Sequence, residues 1–263
     1  MRLGWTAALV ASGALMACGG GSLPTEPTPG NAPVDVPGTP VDPNAPDDGA
    51  TGTPVPASPH GLWPLTTGST WTYRITDPVQ GTFRKTVTVQ GPERVEGTST
   101  TAVRVHSVQD RSRTTGDVYA EDSFQLELAQ GVVVRLREED FENGTRVRVT
   151  TWAPATMKAV AQVPAALPWE QRDVVRETVT APNGTATTKA TTYAWKVVAV
   201  GETVVTPAGT FHDAIEVQRD KLDGAGQAKD GKRRTYWLVP GVGKVREEGE
   251  RTEELSAYDV KAP

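Results

Sequence analysis

Chemistry in this 263-residue chain would have to come from three histidines, one cysteine and a few acidic runs. His60, His106 and His212 stand far apart, with no HExxH and no paired-His spacing, so no single segment supplies a zinc-type ligand set. His212-Asp213 is a candidate acid–base pair, weighed against the commoner case of a half-exposed strand histidine. The chain has no Gly-x-Ser-x-Gly and no Ser-x-x-Lys, which removes the usual serine-nucleophile signatures. Gly226-Gln-Ala-Lys-Asp-Gly231-Lys232 has the spacing of a phosphate loop, but Arg233 stands where that loop needs Ser or Thr. It reads as a hairpin loop between strands. The acidic runs Glu138-Glu139-Asp140 and Glu247-Glu248 read as solvated strand edges, calcium at a loop being the other use of such oxygens. No catalytic residue, metal or cofactor is expected, and the chain is read as no enzyme.

Cys18, the single cysteine, has no partner for a disulfide or a thiolate metal site. It follows Met1-Arg2 and an apolar run from Leu3 to Ala17, which is too short to span a bilayer and has the length of a removed signal peptide. Leu15-Met16-Ala17-Cys18 resembles the lipobox of bacterial lipoproteins. That resemblance implies residues 1–17 as signal peptide, cleavage after Ala17 and a diacylglyceryl group on the Cys18 thiol. Two or more acyl chains anchor stably where one holds only marginally, so Cys18 is an anchor and not a nucleophile. Gly19, where some Gram-negative lipoproteins carry a retaining Asp, implies the outer membrane.

Residues 18–59 have no aromatic residue after Cys18 and hold 11 of the 21 prolines, so they cannot build a core. They read as a disordered, semi-rigid tether reaching on the order of 100 Å at about 3.1 Å per residue. Its charges are Glu26, Asp35, Asp42, Asp47 and Asp48. Taking these and Arg2 from the whole chain's 27 basic and 32 acidic residues leaves 26 against 27 for residues 60–263. A near-neutral domain argues against nucleic acid as partner. Arg146 and Arg148 read as solvated strand faces.

Residues 60–263 suffice for one domain. They are rich in Val, Thr, Tyr and Trp, alternate polar with apolar, and break every eight to twelve residues at Gly, Pro or Asn-Gly. The expectation is an all-β fold: one large curved antiparallel sheet, half-barrel or sandwich, with at most short helices. Ala153 to Leu167 is the one candidate helix. Asn143-Gly144 and Asn183-Gly184 suit type I′ hairpin turns. A two-residue turn at 143–144 would pair Glu142 with Thr145, Phe141 with Arg146, Glu139 with Arg148 and Arg135 with Trp152. It would set Val132, Val134 and Leu136 on the other face with Val147, Val149 and Thr151. A weak echo links Gly91-Pro-Glu-Arg-Val95 before Ala102-Val-Arg-Val105 with Gly201-Glu-Thr-Val204 before Ala214-Ile-Glu-Val217.

Leu62-Trp63-Pro64-Leu65-Thr-Thr-Gly68-Ser-Thr-Trp71-Thr-Tyr73, Thr206-Pro-Ala-Gly-Thr-Phe211 and Tyr236-Trp237-Leu-Val-Pro240-Gly241-Val242-Gly243-Lys-Val245 together resemble a broad group of bacterial lipoproteins and secreted proteins. The likeness spans nearly all of residues 62–246. It implies a curved antiparallel sheet, by analogy like the half-barrels of periplasmic lipid or lipoprotein carriers, and carries no settled activity.

A single-layer sheet cannot leave an apolar face in water. Trp71, Tyr73, Trp195 and Trp237 are therefore the candidate lining of a groove, with core packing as the plainer role. The expected function is a lipid-anchored envelope module, outer-membrane in the favoured case. It would bind an apolar ligand such as a lipid, a peptide or another envelope protein. A structural surface protein without a pocket and a hydrolase with an unrecognised site are the alternatives.

Overall fold

The structure is a computed structural model, and it describes residues 61–112, 116–129 and 131–263. Residues 1–17, read as a signal peptide, Cys18 and the rest of residues 18–59, read as a tether, and His60 lie outside the described residues.

Twelve antiparallel strands follow one another: β1 (Thr70–Asp77), β2 (Gly81–Arg94), β3 (Thr101–Gln109), β4 (Tyr119–Glu127), β5 (Val132–Glu142) and β6 (Thr145–Val160), then β7 (Trp169–Thr180), β8 (Ala186–Thr206), β9 (Gly209–Lys221), β10 (Arg234–Val239), β11 (Gly243–Glu248) and β12 (Thr252–Asp259). Each pairs with its sequence neighbours, and β12 pairs back to β1, so the sheet closes into a barrel. The all-β expectation holds, with closure in place of a half-barrel or sandwich. Closure leaves no sheet edge to cover, and no helix occurs among the described residues. The candidate helix at 153–167 is instead the end of β6 and the connection to β7.

Side chains alternate across each strand, and directly paired residues share a face, so the register sorts inner from outer positions. Trp71, Tyr73 and Ile75 are inner; Thr72, Arg74 and Thr76 are outer. Tyr193 and Trp195 are inner as well, and Tyr236 and Trp237 face opposite ways. The outer wall carries Arg74, Arg84, Arg137, Arg172 and Lys196, where a membrane-spanning barrel would present an apolar band. No helix of the described residues is long and apolar enough to cross a membrane.

The Asn143-Gly144 turn forms as expected, with φ of 48° and 77°. Glu142 pairs with Thr145 and Phe141 with Arg146. A bulge between Asp140 and Phe141 then shifts the register, so that Arg148 opposes Asp140 and Val149 opposes Glu139. Glu139 and Arg148 consequently lie on opposite faces, which corrects the expected pair. Further irregularities put Arg135 opposite Thr156 instead of Trp152 and break up the expected apolar face of β5 and β6, Val134 pairing with Met157. The second turn is a five-residue loop, Ala181 to Thr185, in which the Asn183 carboxamide oxygen accepts from the Thr185 amide. The two echo glycines both sit at strand irregularities. At Gly91, φ is 115° and an added Cβ would lie 3.0 Å from the Thr67 hydroxyl, so close approach of the chain excludes a side chain there.

Candidate functional site

The barrel has two dissimilar ends. At the first, residues 61–69 enter as a plug: the Leu62 amide donates to Ala161 O, Gly241 N to Gly61 O and Gly68 N to Val89 O. Leu62 is 1% exposed among Met157, Trp195 and Ile215. The long β8–β9 hairpin bends over the same end, where its tip donates from Ala208 N to Leu255 O and Phe211 joins the cluster of Leu65, Trp71 and Val245. Trp71 Nε1 donates to Val242 O at 2.6 Å, and a Cβ at Gly243 would lie 3.1 Å from Pro64. The three motifs that carry the family resemblance thus meet at this plugged end. Between Trp63, Leu65, Trp71, Val89 and Val105 lies a cavity of about 40 Å³ with an apolar lining.

Toward the other end, marked by the turns at 78–80, 143–144 and 181–185, the inner positions become ionisable. Eight strands make a barrel that side chains just fill; twelve enclose more room, and long charged side chains point into it. On one wall Lys244 bridges Glu247 (2.5 Å) and Glu253 (2.7 Å), Arg234 holds Glu247 at 2.8 Å, and Arg251 holds Glu253 at 2.7 Å. Lys85 stands 3.5 Å from Glu253. On the facing wall Arg135 pairs with Glu138, lies 3.7 Å from Glu121 and places its guanidinium 4.3 Å above Trp152. Asp140 accepts from Tyr119 and Arg148. Glu121, Arg135 and Lys85 keep 24, 14 and 17% of their side-chain surface. Their inward placement turns that surface toward the interior of the barrel.

Burial and crowding shift the protonation of these groups. Burial pushes the Glu138 carboxyl up to about 7, aided by Glu121 and Asp140 and opposed by Arg135. Burial and then the Arg135 charge push Lys158 down to about 7, with Glu121 opposing. Burial alone would raise Glu247, but Lys244 and Arg234 outweigh it and hold the carboxyl down to about 2. Glu121, Glu138 and Asp140 bring carboxylate oxygens within 4.8 Å of one another, a spacing a cation could bridge. Arg135 and Arg148 already supply positive charge there.

The acidic runs read as solvated edges are therefore half internal. Glu138, Asp140 and Glu247 are buried inside the barrel, while Glu139 and Glu248 face out toward Arg137 and Arg246. Arg146 is an outer-face residue as expected, but Arg148 turns inward. The four groove aromatics do not come together: Trp71 and Tyr73 belong to one buried cluster and Trp195 to another. Trp237 lies on the outer wall, donating to Glu202 under Arg246. His212 and Asp213 are exposed on the β8–β9 hairpin, with His212 beside the Thr203 hydroxyl. Residues 226–232 join β9 to β10 as a loop.

Sequence reading missed an outer His–Asp pair. His106 Nδ1 lies 2.7 Å from Asp122, which also takes Arg104 at 2.7 Å. Burial opposes ionisation of Asp122, but the hydrogen bonds from His106 and Arg104 hold it below the usual range. Next to it a groove of about 300 Å³ runs past Arg94, Arg104 and Arg146. Also missed were the inner Lys85, Glu121, Arg135, Arg219, Lys221, Lys244 and Glu253. Their signal was present as a gradient within one strand phase: Lys189, Thr191, Tyr193, Trp195 and Val197 pass from charged to apolar, and Lys221, Arg219, Val217 and Ile215 do likewise.

The class defined by this geometry is a twelve-stranded antiparallel barrel plugged at one end and charged within at the other. Two solved structures are similar to the chain. One is a candidate exported protein with a YmcC-like fold from Bacteroides fragilis, at 14% identity and TM-score 0.42, covering 76% of this chain and 99% of that one. The other is a candidate lipoprotein from Parabacteroides distasonis, at 14% identity and TM-score 0.35 with the same coverage. No family model matches the chain, and no curated protein does.

Proposed function

We propose that this chain is a non-enzymatic envelope lipoprotein whose barrel binds a small polar ligand through its charged end. Residues 1–17 direct export, Cys18 carries the lipid, and residues 18–59 tether the barrel to a membrane, the outer membrane in the favoured case. One observation carries the binding reading: ionisable side chains face inward and retain accessible surface inside a closed barrel. A barrel built only for stability would fill that space with apolar groups, since replacing buried ion pairs by well-packed hydrophobic residues is often neutral or stabilising. A polar ligand is favoured over the apolar one expected for an exposed sheet face, because closure removes that face and the plug packs into the apolar half.

Two measurements test the proposal. Metabolic labelling with a fatty-acid analogue should mark the wild-type chain and not Cys18→Ala, which should leave the membrane fraction; a labelled, membrane-bound Cys18→Ala chain refutes the anchor. Native mass spectrometry of the full chain released from detergent should show a retained small molecule, and a bare mass from every envelope preparation refutes the binding role.

A further inference from the structure

We propose that the inner wall formed by β8 and β9 binds a small organic anion, a carboxylate or a phosphate monoester, between Arg219, Lys221 and Thr191. The inference rests on the binding role proposed above and assigns its ligand chemistry.

Most inner cations of the barrel are matched: Lys244, Arg234, Arg135 and Arg148 each hold a carboxylate. Lys158, 5.6 Å from the Trp63 ring, is one exception; Arg219 and Lys221 are two more, and they stand together. Among the described residues neither has a carboxylate oxygen within 4.0 Å; both lie instead against aromatic rings. The Arg219 guanidinium is 5.2 Å from the Tyr193 ring and 5.6 Å from Trp195, and Lys221 Nζ is 5.7 Å from Tyr193. Register fixes them side by side, with Arg219 opposite Trp195 and Lys221 opposite Tyr193.

A second, independent observation comes from the donors around them. Trp195 is 1% exposed and Thr191 5%, yet Trp195 Nε1, Thr191 Oγ1 and Arg219 Nε are all buried without a hydrogen-bond partner. Arginine Nε atoms without a partner recur at Arg104, Arg135 and Arg246, so the Thr191 hydroxyl and the Trp195 ring nitrogen are the donors that mark this wall, beside two cations without a carboxylate. An anion supplies acceptor atoms and negative charge together.

The acids facing this wall are already committed. Asp173 accepts from the Thr156 hydroxyl at 2.7 Å and the Met157 amide at 2.8 Å, and Glu177 takes Lys189 at 2.9 Å. Burial, with Lys189, Lys229 and Arg219 nearby, lowers the proton affinity of Lys221 against the pull of Glu177; a bound anion would relieve that repulsion. Tyr193 is the aromatic ring such an anion would meet, since Trp195 is buried and stacked on Tyr236 at 5.9 Å and 17°.

The test titrates the full-length protein in detergent with benzoate, phenyl phosphate, inorganic phosphate and benzylamine, by calorimetry and tryptophan fluorescence. Benzoate or phenyl phosphate should saturate at one per chain, the tighter of the two deciding between carboxylate and phosphate. Arg219→Gln and Lys221→Gln should each weaken that probe at least 10-fold, and the outer-face control Lys196→Gln should leave it unchanged. Should Arg219→Gln fail to fold, Lys221→Gln, at a half-exposed position, decides. Wild-type affinity in Lys221→Gln overturns the assignment. Benzylamine binding as well as the anions overturns it while leaving a binding chamber in place. Silence from all four probes also overturns it, and the chamber is then judged separately by the mass-spectrometric search, which needs no chosen probe.

Discussion

The plugged and the charged ends of the barrel are built from the same strands and obey opposite rules. At the plugged end, Leu62, Trp71, Val89 and Val245 pack with exposures of 5% or less, the Trp71 ring nitrogen is satisfied, and the motif segments interlock. At the charged end, inner side chains keep surface, the Thr191 hydroxyl on β8 has no hydrogen-bond partner, and Arg219 and Lys221 lie on aromatic rings without carboxylates. One end is finished by its own sequence; the other is left chemically incomplete. Natural proteins hold such incompleteness where function needs it, at a cost in stability.

That contrast can be broken first at the boundary between the ends. Lys244→Ala leaves Glu247 and Glu253 buried and short of their shared cation, and should destabilise by about 3–5 kcal/mol in urea titrations. Leu62→Ala opens a cavity in the plug and should cost about 2–5 kcal/mol. An Arg219→Met exchange tests the opposite end, where no ion pair is lost; it should change stability by less than about 1 kcal/mol in either direction. A loss as large as that at Leu62 would erase the distinction between the ends. At the outer wall, Lys196→Ala breaks a pair with Glu170 that is nearly half-exposed, and should cost roughly 0–1 kcal/mol.

Proton linkage offers a subtler probe of the charged half. The folded Glu138 carboxyl titrates near 7, above its usual value of 4.5, so the folded state holds the extra proton between those values. Its stabilising contribution is complete below about pH 4.5 and is lost as pH rises through 7. Glu138→Gln removes this dependence. Relative to wild type it should gain stability between pH 5 and pH 8, read from melts at the two values. A constant difference across that range would mean that Glu138 ionises as a solvated edge residue does.

Much of the fold was readable because β patterning is local. Alternation and turn residues identified strands and the Asn143-Gly144 hairpin, and they placed Trp71 with Tyr73, and Tyr193 with Trp195, on shared faces. Register was lost at the first bulge. One extra residue on β6, Val147, moved Arg148 inward while Glu139 stayed outward with Phe141, and no composition or spacing announces such an insertion. The supposed helix at 153–167 failed for a related reason: pairing with neighbouring strands overrode a weak local preference. The candidate site was the least legible part, because a charged residue at an inner position is indistinguishable in sequence from one at a solvated face until the sheet is known to close.

By itself the sequence determined the all-β class of the domain bounded by aromatic and Gly/Pro motifs, and it supplied the reading of residues 1–59 as an apolar leader, a lipobox-like Cys18 and a proline-rich tether. Those properties depend on composition and on neighbours a few residues apart. Only the tertiary structure decided that β12 returns to β1, that the three motifs interlock at one end, and that the inner charges of twelve strands share a single enclosed space. Residues such as Tyr73 and Lys244, 171 positions apart, acquire a common environment only when the last strand closes the ring. The meaning of a charge there is set by which side of the closed wall it occupies.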